Sequence, residues 1–343
     1  MSEENRRTTV GRALQDFLLF HEMNKDSART IGNYQMILAR FVEWLSSVGI
    51  RYVDELSISH LRAWVGHLQK SPTRYGGQLS DSSVYQYALC TQVFCHWLEH
   101  EELLEKPITT RFKLPRVEKK FIPTFTPEDI EKLLAACEVG KRYTPRMQKA
   151  LTTRNRAIVS VLIDTGIRRS ELVNLRLCDV DRDMRLILVH RKGNKWQQVP
   201  ISYEGFKPLH DYLTKYRPVL AALDGRNVAR KDDAVFLADD GKPLTMRGVS
   251  RLFDRLRERT GIDEKRVSPH QCRRYMATMQ LAAGRSPLDV QRQMGHTTLT
   301  MTNHYASLSV DQLKRSHEMY SPLRAKQEGV NKQGLGTGYW EAE

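Results

Sequence analysis

The sequence predicts a mainly α-helical protein with one small antiparallel β-sheet, built as an N-terminal four-helix domain followed by an α+β domain. Three observations predict it. At 343 residues the chain has the length of about two domains of ~150 residues each. Apolar residues recur at helical spacing through most of it, whereas a strand–turn–strand pattern occurs near residues 184–201. Residues 106–125 hold three prolines and six basic side chains with no helical period, which is the composition of a linker.

In chain order, residues 9–24 and 27–47 read as amphipathic helices, the second placing Ile31, Tyr34, Ile37, Leu38, Phe41, Trp44 and Leu45 on one face. A third helix runs from Ile58 to Leu68. Ser80 or Asp81 caps a fourth, Ser82 to Glu102. Its stripe Tyr85, Phe94 and Trp97 reads as core. The loop between these two helices carries Arg74 and Tyr75, which either touch a phosphate or face water. Residues 1–105 thus form one helical domain, and 106–125 a basic linker that is either solvated or laid along a polyanion.

Thr126-Pro-Glu-Asp opens the second domain, 126–320, with a capping threonine and a first-turn proline. Helices are expected at 127–138, 149–164 and 169–176. The stretch from Met184 to Arg191 reads as a strand, Lys192-Gly-Asn-Lys as a hairpin turn, and Trp196 to Ile201 as the returning strand. Further helices are expected at 203–216, 246–259, 269–283, 286–294 and 310–319. Residues 321–343, rich in Gly, Lys and Gln, read as a flexible tail.

The formal net charge is +14. It is unevenly placed: residues 1–125 carry 16 basic and 14 acidic side chains, residues 126–343 carry 38 and 26. A concentrated surplus favours a polyanionic partner, because neutralised phosphates release condensed counterions; a solvated basic surface is the plainer alternative. No run of 18 apolar residues occurs, so no membrane span or membrane partner is expected. The first residues lack a signal peptide's apolar segment, and the expected location is the cytoplasm. Cys90, Cys95, Cys137, Cys178 and Cys272 are read as free thiols, since Cys90, Cys95, His96 and His100 match no zinc spacing.

Four segments carry chemistry. In Thr165-Gly-Ile-Arg-Arg-Ser-Glu-Leu, a glycine ends one helix and Glu171 lies early in the next, so Arg168 sits at a corner, its fork suited to a phosphate. Lys192 lies on the hairpin turn as a mobile point charge. His270 and Arg273, three apart, share a helix face, a cation beside an imidazole. Gln293-Met-Gly-His places His296 after a helix-ending glycine, and Tyr305 follows nine residues later. A tyrosine ionises near pH 10, so forming its anion at neutral pH costs ~4 kcal/mol and calls for a cationic site and a base. Taken singly, each is compatible with a surface cation or a packed aromatic.

In this order, the residues resemble the tyrosine recombinases of the phage-integrase and Xer superfamily. The resemblance implies a SAM-like core-binding domain followed by a catalytic domain. It places Arg168 and Arg273 as the catalytic arginines, Glu171 as the buttressing acid, Lys192 as the hairpin lysine and His270 in the His-x-x-Arg motif. His296 falls at the His-or-Trp position, and Tyr305 is the implied nucleophile. The sequence departs from the common pattern at Cys272 and at Arg274-Tyr275, positions of packing and DNA contact, and residues 139–155 look longer than a minimal member needs.

The implied activity is site-specific cleavage and rejoining of duplex DNA through a 3′-phosphotyrosine and a Holliday junction, either to move an element or to resolve multimers. The implied partners are paired double-stranded DNA sites and a homotetramer on DNA, with room for a second recombinase or accessory proteins. Residues 310–343 would pass to a neighbouring protomer, with Tyr339 and Trp340 as anchors. No cofactor and no metal are implied. With its first helix near residue 9, the chain suits a Xer- or Cre-like layout without an arm-binding domain. The other readings are a type IB topoisomerase or telomere resolvase, identified by relaxation or by hairpin ends, and a non-catalytic DNA-binding regulator.

Overall fold

The computed structural model describes residues 7–73, 76–118, 123–140, 143–191, 195–224 and 233–295. The chain divides into two compact units, Met1–Phe121 and Ile122–Glu343.

The first unit is built on four helices: α1 (Val10–Met23), α2 (Ala28–Ser47), α3 (Ile58–Lys70) and α4 (Asp81–His100). Thr9, Ser27 and Ser80 cap α1, α2 and α4 by accepting a backbone N–H from inside the first turn. Helical spacing then turns Val10, Ala13, Leu14 and Phe17 of α1 inward, against Leu38, Phe41 and Leu45 of α2 and Phe94 and Leu98 of α4. Phe17 meets Phe94 and Trp97 edge-on, at ring separations of 5.3 and 5.5 Å. Of the expected aromatic stripe, Phe94 and Trp97 belong to the core; the α4 tyrosine packed against it is Tyr87, two residues on from Tyr85. Part of the proline-rich stretch also joins this unit. Ile108 and Phe112 are buried in its core, and Glu99 accepts hydrogen bonds from the Ile108 and Thr109 N–H groups at 2.6 and 2.7 Å.

The second unit surrounds one central helix, α6 (Pro145–Thr165), whose buried residues run from Ala150 to Thr165. Before it, α5 (Pro127–Ala135) starts in a capping box between Thr126 and Asp129. The stretch 139–155 is largely helix, since α6 begins at Pro145. Val139 N–H donates to Thr152 Oγ1, and Asn155 Nδ2 donates to the Cys137 carbonyl, tying the preceding loop to this helix. Then come α7 (Arg169–Asn174) and a three-stranded antiparallel sheet in the order β1 (Val180–Asp181), β2 (Leu186–Arg191), β3 (Lys195–Pro200). The two-residue β1 is too short to carry a period. In the β2–β3 register, Ile187 faces Val199 and Arg191 faces Lys195.

Next, α8 (Tyr203–Asp211) continues through a π-helical turn, Tyr212–Tyr216, into α9 (Arg217–Ala221). The predicted helix is therefore longer than expected, because Pro218 occupies the first turn after the π segment, where its missing N–H costs least. The unit closes with α10 (Met246–Thr260), α11 (Pro269–Ala282) and α12 (Pro287–Met294). Cys272 lies fully buried in the main core and Tyr275 packs against it, so these two residues of the departures from the common pattern serve packing. The five cysteines are unpaired, Cys178 exposed and the other four buried. No helix among the described residues is long and apolar enough to cross a membrane.

Candidate active site

The C-terminal end of α12 organises the site. The last carbonyls of a helix have no intrahelical donor, and the dipole makes that end electronegative. Here side chains from four other elements take them. Gln197 of β3 donates to the Arg292 carbonyl at 2.6 Å. Arg191 at the end of β2 donates to those of Gln293 at 2.5 Å and Met294 at 2.7 Å. Arg273 of α11 shares the Met294 carbonyl at 2.5 Å. Arg168, which precedes α7, reaches the Gly295 carbonyl at 3.3 Å.

Two glycines make these approaches possible. Gly166 ends α6 at φ 64°, and its carbonyl accepts from Arg273 Nη1 at 2.5 Å. A Cβ there would lie 2.1 Å from Met276 Cε. Gly295 ends α12 at φ 62°, and a Cβ there would lie 2.6 Å from Arg191 Cδ. Both positions thus hold a left-handed backbone that favours glycine, and a side chain would displace Met276 at the first and press on the Arg191 guanidinium at the second.

Glu171 supplies the negative charge. It is 5% exposed and sits at the third position of α7. Its Oε2 accepts the Arg168 backbone N–H at 2.8 Å, and its Oε1 accepts Arg168 Nη1 at 2.8 Å and Arg191 Nη1 at 3.4 Å. Arg273 is 3% exposed and Arg191 7%, whereas the Arg168 side chain keeps 39% of its surface. Burial lowers the pKa of Arg191, against the pull of Glu171, which raises it. Arg168 forms the cationic rim of the site and Arg273 its floor.

His270 lies in the first turn of α11, its outer edge exposed. Partial desolvation, then the positive charges of Arg273, Arg274, Arg266 and Arg168, hold its imidazole below the ordinary value of 6.5. At neutral pH it is therefore a neutral ring, able to accept a proton.

Of the residues expected from the sequence, the structure brings Arg168, Glu171 and Arg273 into one cluster, with His270 within electrostatic reach. Lys192, His296 and Tyr305 lie outside the described residues, as do Arg74, Tyr75, the helix expected at 310–319 and the tail. Arg191 was missed. One signal pointed to it: alternation in β2 turns Ile187, Val189 and Arg191 to the same buried side, and a charge at an inward position implies buried partners. Among the described residues, no cluster of three His, Cys, Asp or Glu side chains is placed to hold a metal ion. A cavity of about 620 Å³, lined by Tyr143, Arg154, Asp239, Arg251, Arg255 and Arg259 among others, contains none of the clustered residues.

The sequence profile of the phage integrase family matches residues 123–312, and the profile of the phage integrase N-terminal SAM-like domain matches residues 14–102. Tyrosine recombinase XerC of Bacillus pumilus (strain SAFR-032) is 30% identical over 321 residues, covering 93% of this chain and 99% of that protein. Tyrosine recombinase XerD of Corynebacterium glutamicum is 27% identical over 290 residues, covering 84% and 90%. Among solved structures, the fold is similar to the Tn1549 transposon integrase in complex with transposon right end DNA, with a TM-score of 0.68, 19% identity and coverage of 91% and 99%. It is also similar to XerH site-specific recombinase bound to difH substrate, with a TM-score of 0.64, 17% identity and coverage of 90% and 84%.

Proposed function

The chain belongs to the phage integrase family and is a tyrosine site-specific recombinase, and from that premise we propose how its own residues carry the reaction. The substrate is duplex DNA, and the attacking group is Tyr305. Its oxygen attacks the scissile phosphorus, the bond to the 5′ oxygen breaks, and the products are a 3′-phosphotyrosine and a free 5′-hydroxyl. Neutral His270 takes the tyrosine proton, and Lys192 gives a proton to the departing 5′ oxygen. Arg168 from the rim and Arg273 from the floor hold the non-bridging oxygens as charge builds in the transition state. His296 donates a hydrogen bond to the same phosphate. Glu171 touches no substrate and acts by holding Arg168.

The bond energy stays in the phosphotyrosine, so rejoining to a second 5′-hydroxyl needs neither nucleotide nor metal. Exchange of two strand pairs in turn passes through a Holliday junction, which calls for a homotetramer on two paired sites in the cytoplasm. The division 1–105, 106–125, 126–320 and 321–343 assigns DNA grip to the first part, catalysis to the third and protomer contact to the tail.

One observation carries this reading: Arg168 and Arg273 converge on the end of α12, immediately before His296, with Glu171 holding Arg168. Covalent trapping tests it. Wild type and Tyr305→Phe are incubated with fragmented host DNA in EDTA and denatured, and the 3′ ends attached to protein are sequenced. A Tyr305-dependent, sequence-focused set of ends is expected. Scattered ends would indicate topoisomerase-like action, and equal adducts from both proteins would remove Tyr305 as the nucleophile.

A further inference from the structure

Arg191 is a costly choice for stability alone. It occupies an inward position of β2 after Ile187 and Val189, and all three are buried. Its Nε makes no hydrogen bond among the described residues. Taking a guanidinium out of water is costly, and a well-packed apolar residue often serves as well or better. Its remaining contacts are nevertheless specific. One guanidinium spans Glu171 at 3.4 Å, the Met294 carbonyl at 2.7 Å and the Gln293 carbonyl at 2.5 Å. It is also the last described residue of β2, directly before Lys192 in the chain.

We infer that Arg191 is a positioning residue for the leaving-group proton donor: by tying the end of β2 to α12 and Glu171, it sets the point from which the hairpin delivers Lys192. This rests on the proposed role of Lys192 as general acid. A strand end held through three acceptors on two other elements presents the next residue from a constant place. Without the guanidinium, the β2–β3 ladder still pairs Arg191 with Lys195, but the contacts of this side chain to Glu171 and to the end of α12 are lost.

The test uses the full-length protein and duplexes carrying the cleavage site found by covalent trapping, in two versions. One has the ordinary 5′ bridging oxygen and the other a sulfur in its place. A thiol ionises near pH 8.5, far below an alcohol, so the sulfur leaves without a proton. The readout is the ratio of single-turnover cleavage rates on the two substrates, in which any misfolded fraction cancels.

Arg191→Ala is expected to slow cleavage of the oxygen substrate about 100-fold, within the range of general acid catalysis, and to come within about tenfold of wild type on the sulfur substrate. Arg191→Lys keeps the charge but cannot span all three acceptors, so an intermediate ratio is expected. It decides the matter if the alanine variant does not fold. Equal losses on both substrates, or no loss on the oxygen substrate, would overturn the inference. Lys192→Ala run in parallel separates the two readings. If sulfur fails to rescue it, the role of Lys192 as the acid is wrong; if sulfur rescues it but not the Arg191 variants, only the positioning role is wrong.

Discussion

Glu171 holds Arg168 at both ends, accepting its backbone N–H at Oε2 and its guanidinium at Oε1, each at 2.8 Å. The same Oε1 faces Arg191, so one buried carboxylate balances a rim cation and a buried one. Removing one partner of a buried pair strands the other charge at a cost of about 3–5 kcal/mol. Glu171→Ala is therefore expected to lose stability of that order in urea unfolding, and Glu171→Gln, which keeps an acceptor, clearly less. A loss below about 0.5 kcal/mol, the range of ordinary surface substitutions, would show that the carboxylate is not a keystone.

Arg168 is the most exposed of the three clustered arginines, and its predicted work is on the transition state. Arg168→Ala is expected to abolish covalent complex formation while leaving DNA affinity within a few-fold, because uniform binding and transition-state binding are separable. Gel shift and covalent trapping on the same DNA give the two numbers. Equal losses in both would make Arg168 a positioning contact for DNA.

The lowered pKa of His270 has a sign that can be checked. As a base it must be neutral, so cleavage is expected to hold its rate below pH 6.5 and to fall only as pH drops through the depressed folded value. In the same window the unfolded chain binds more protons than the folded one, so stability declines as pH falls. A rate–pH profile of wild type against His270→Gln separates the two effects. A wild-type rate already halved well above pH 6.5, and restored flat by the substitution, would contradict the lowered value.

Gly166 ties helix termination to the floor of the site. Gly166→Ala forces a side chain into φ 64° and against Met276, with a backbone cost of about 1–3 kcal/mol. Because the Gly166 carbonyl anchors Arg273, cleavage is expected to fall along with the unfolding midpoint. Unchanged cleavage in a destabilised protein would uncouple the two.

Removing residues 321–343 is expected to leave cleavage by single protomers intact while reducing tetramer assembly and strand exchange. Sedimentation on paired sites and a plasmid exchange assay read the two outcomes. Unchanged assembly and exchange would remove the tail from the interface.

Much of this architecture was legible beforehand. Helical spacing located the four helices of the first unit, and Thr126, Pro127 and Gly166 marked helix ends by their backbone chemistry. Arg168, Glu171 and Arg273 were identifiable from their neighbours in sequence. The buried Ile108 and Phe112 were not, because their prolines and charges dominate the local composition while Glu99 and the first core supply the reason for their burial. The continuation of α8 into α9 was also hidden, since a π turn has no residue signature of its own.

By itself, the sequence determined where most of the described helices lie, where the hairpin lies, and which arginines, histidines and tyrosine follow one another along the chain, because period, caps and glycines act over a few residues. Only the tertiary structure decided that α12 ends where Arg168, Arg191, Arg273 and Gln197 converge, and that Arg191 is buried beside Glu171. The physical reason is that burying a charge is acceptable only when its partners arrive. For Arg191 those partners come from 20 residues before it, and from 102 and 103 residues after it.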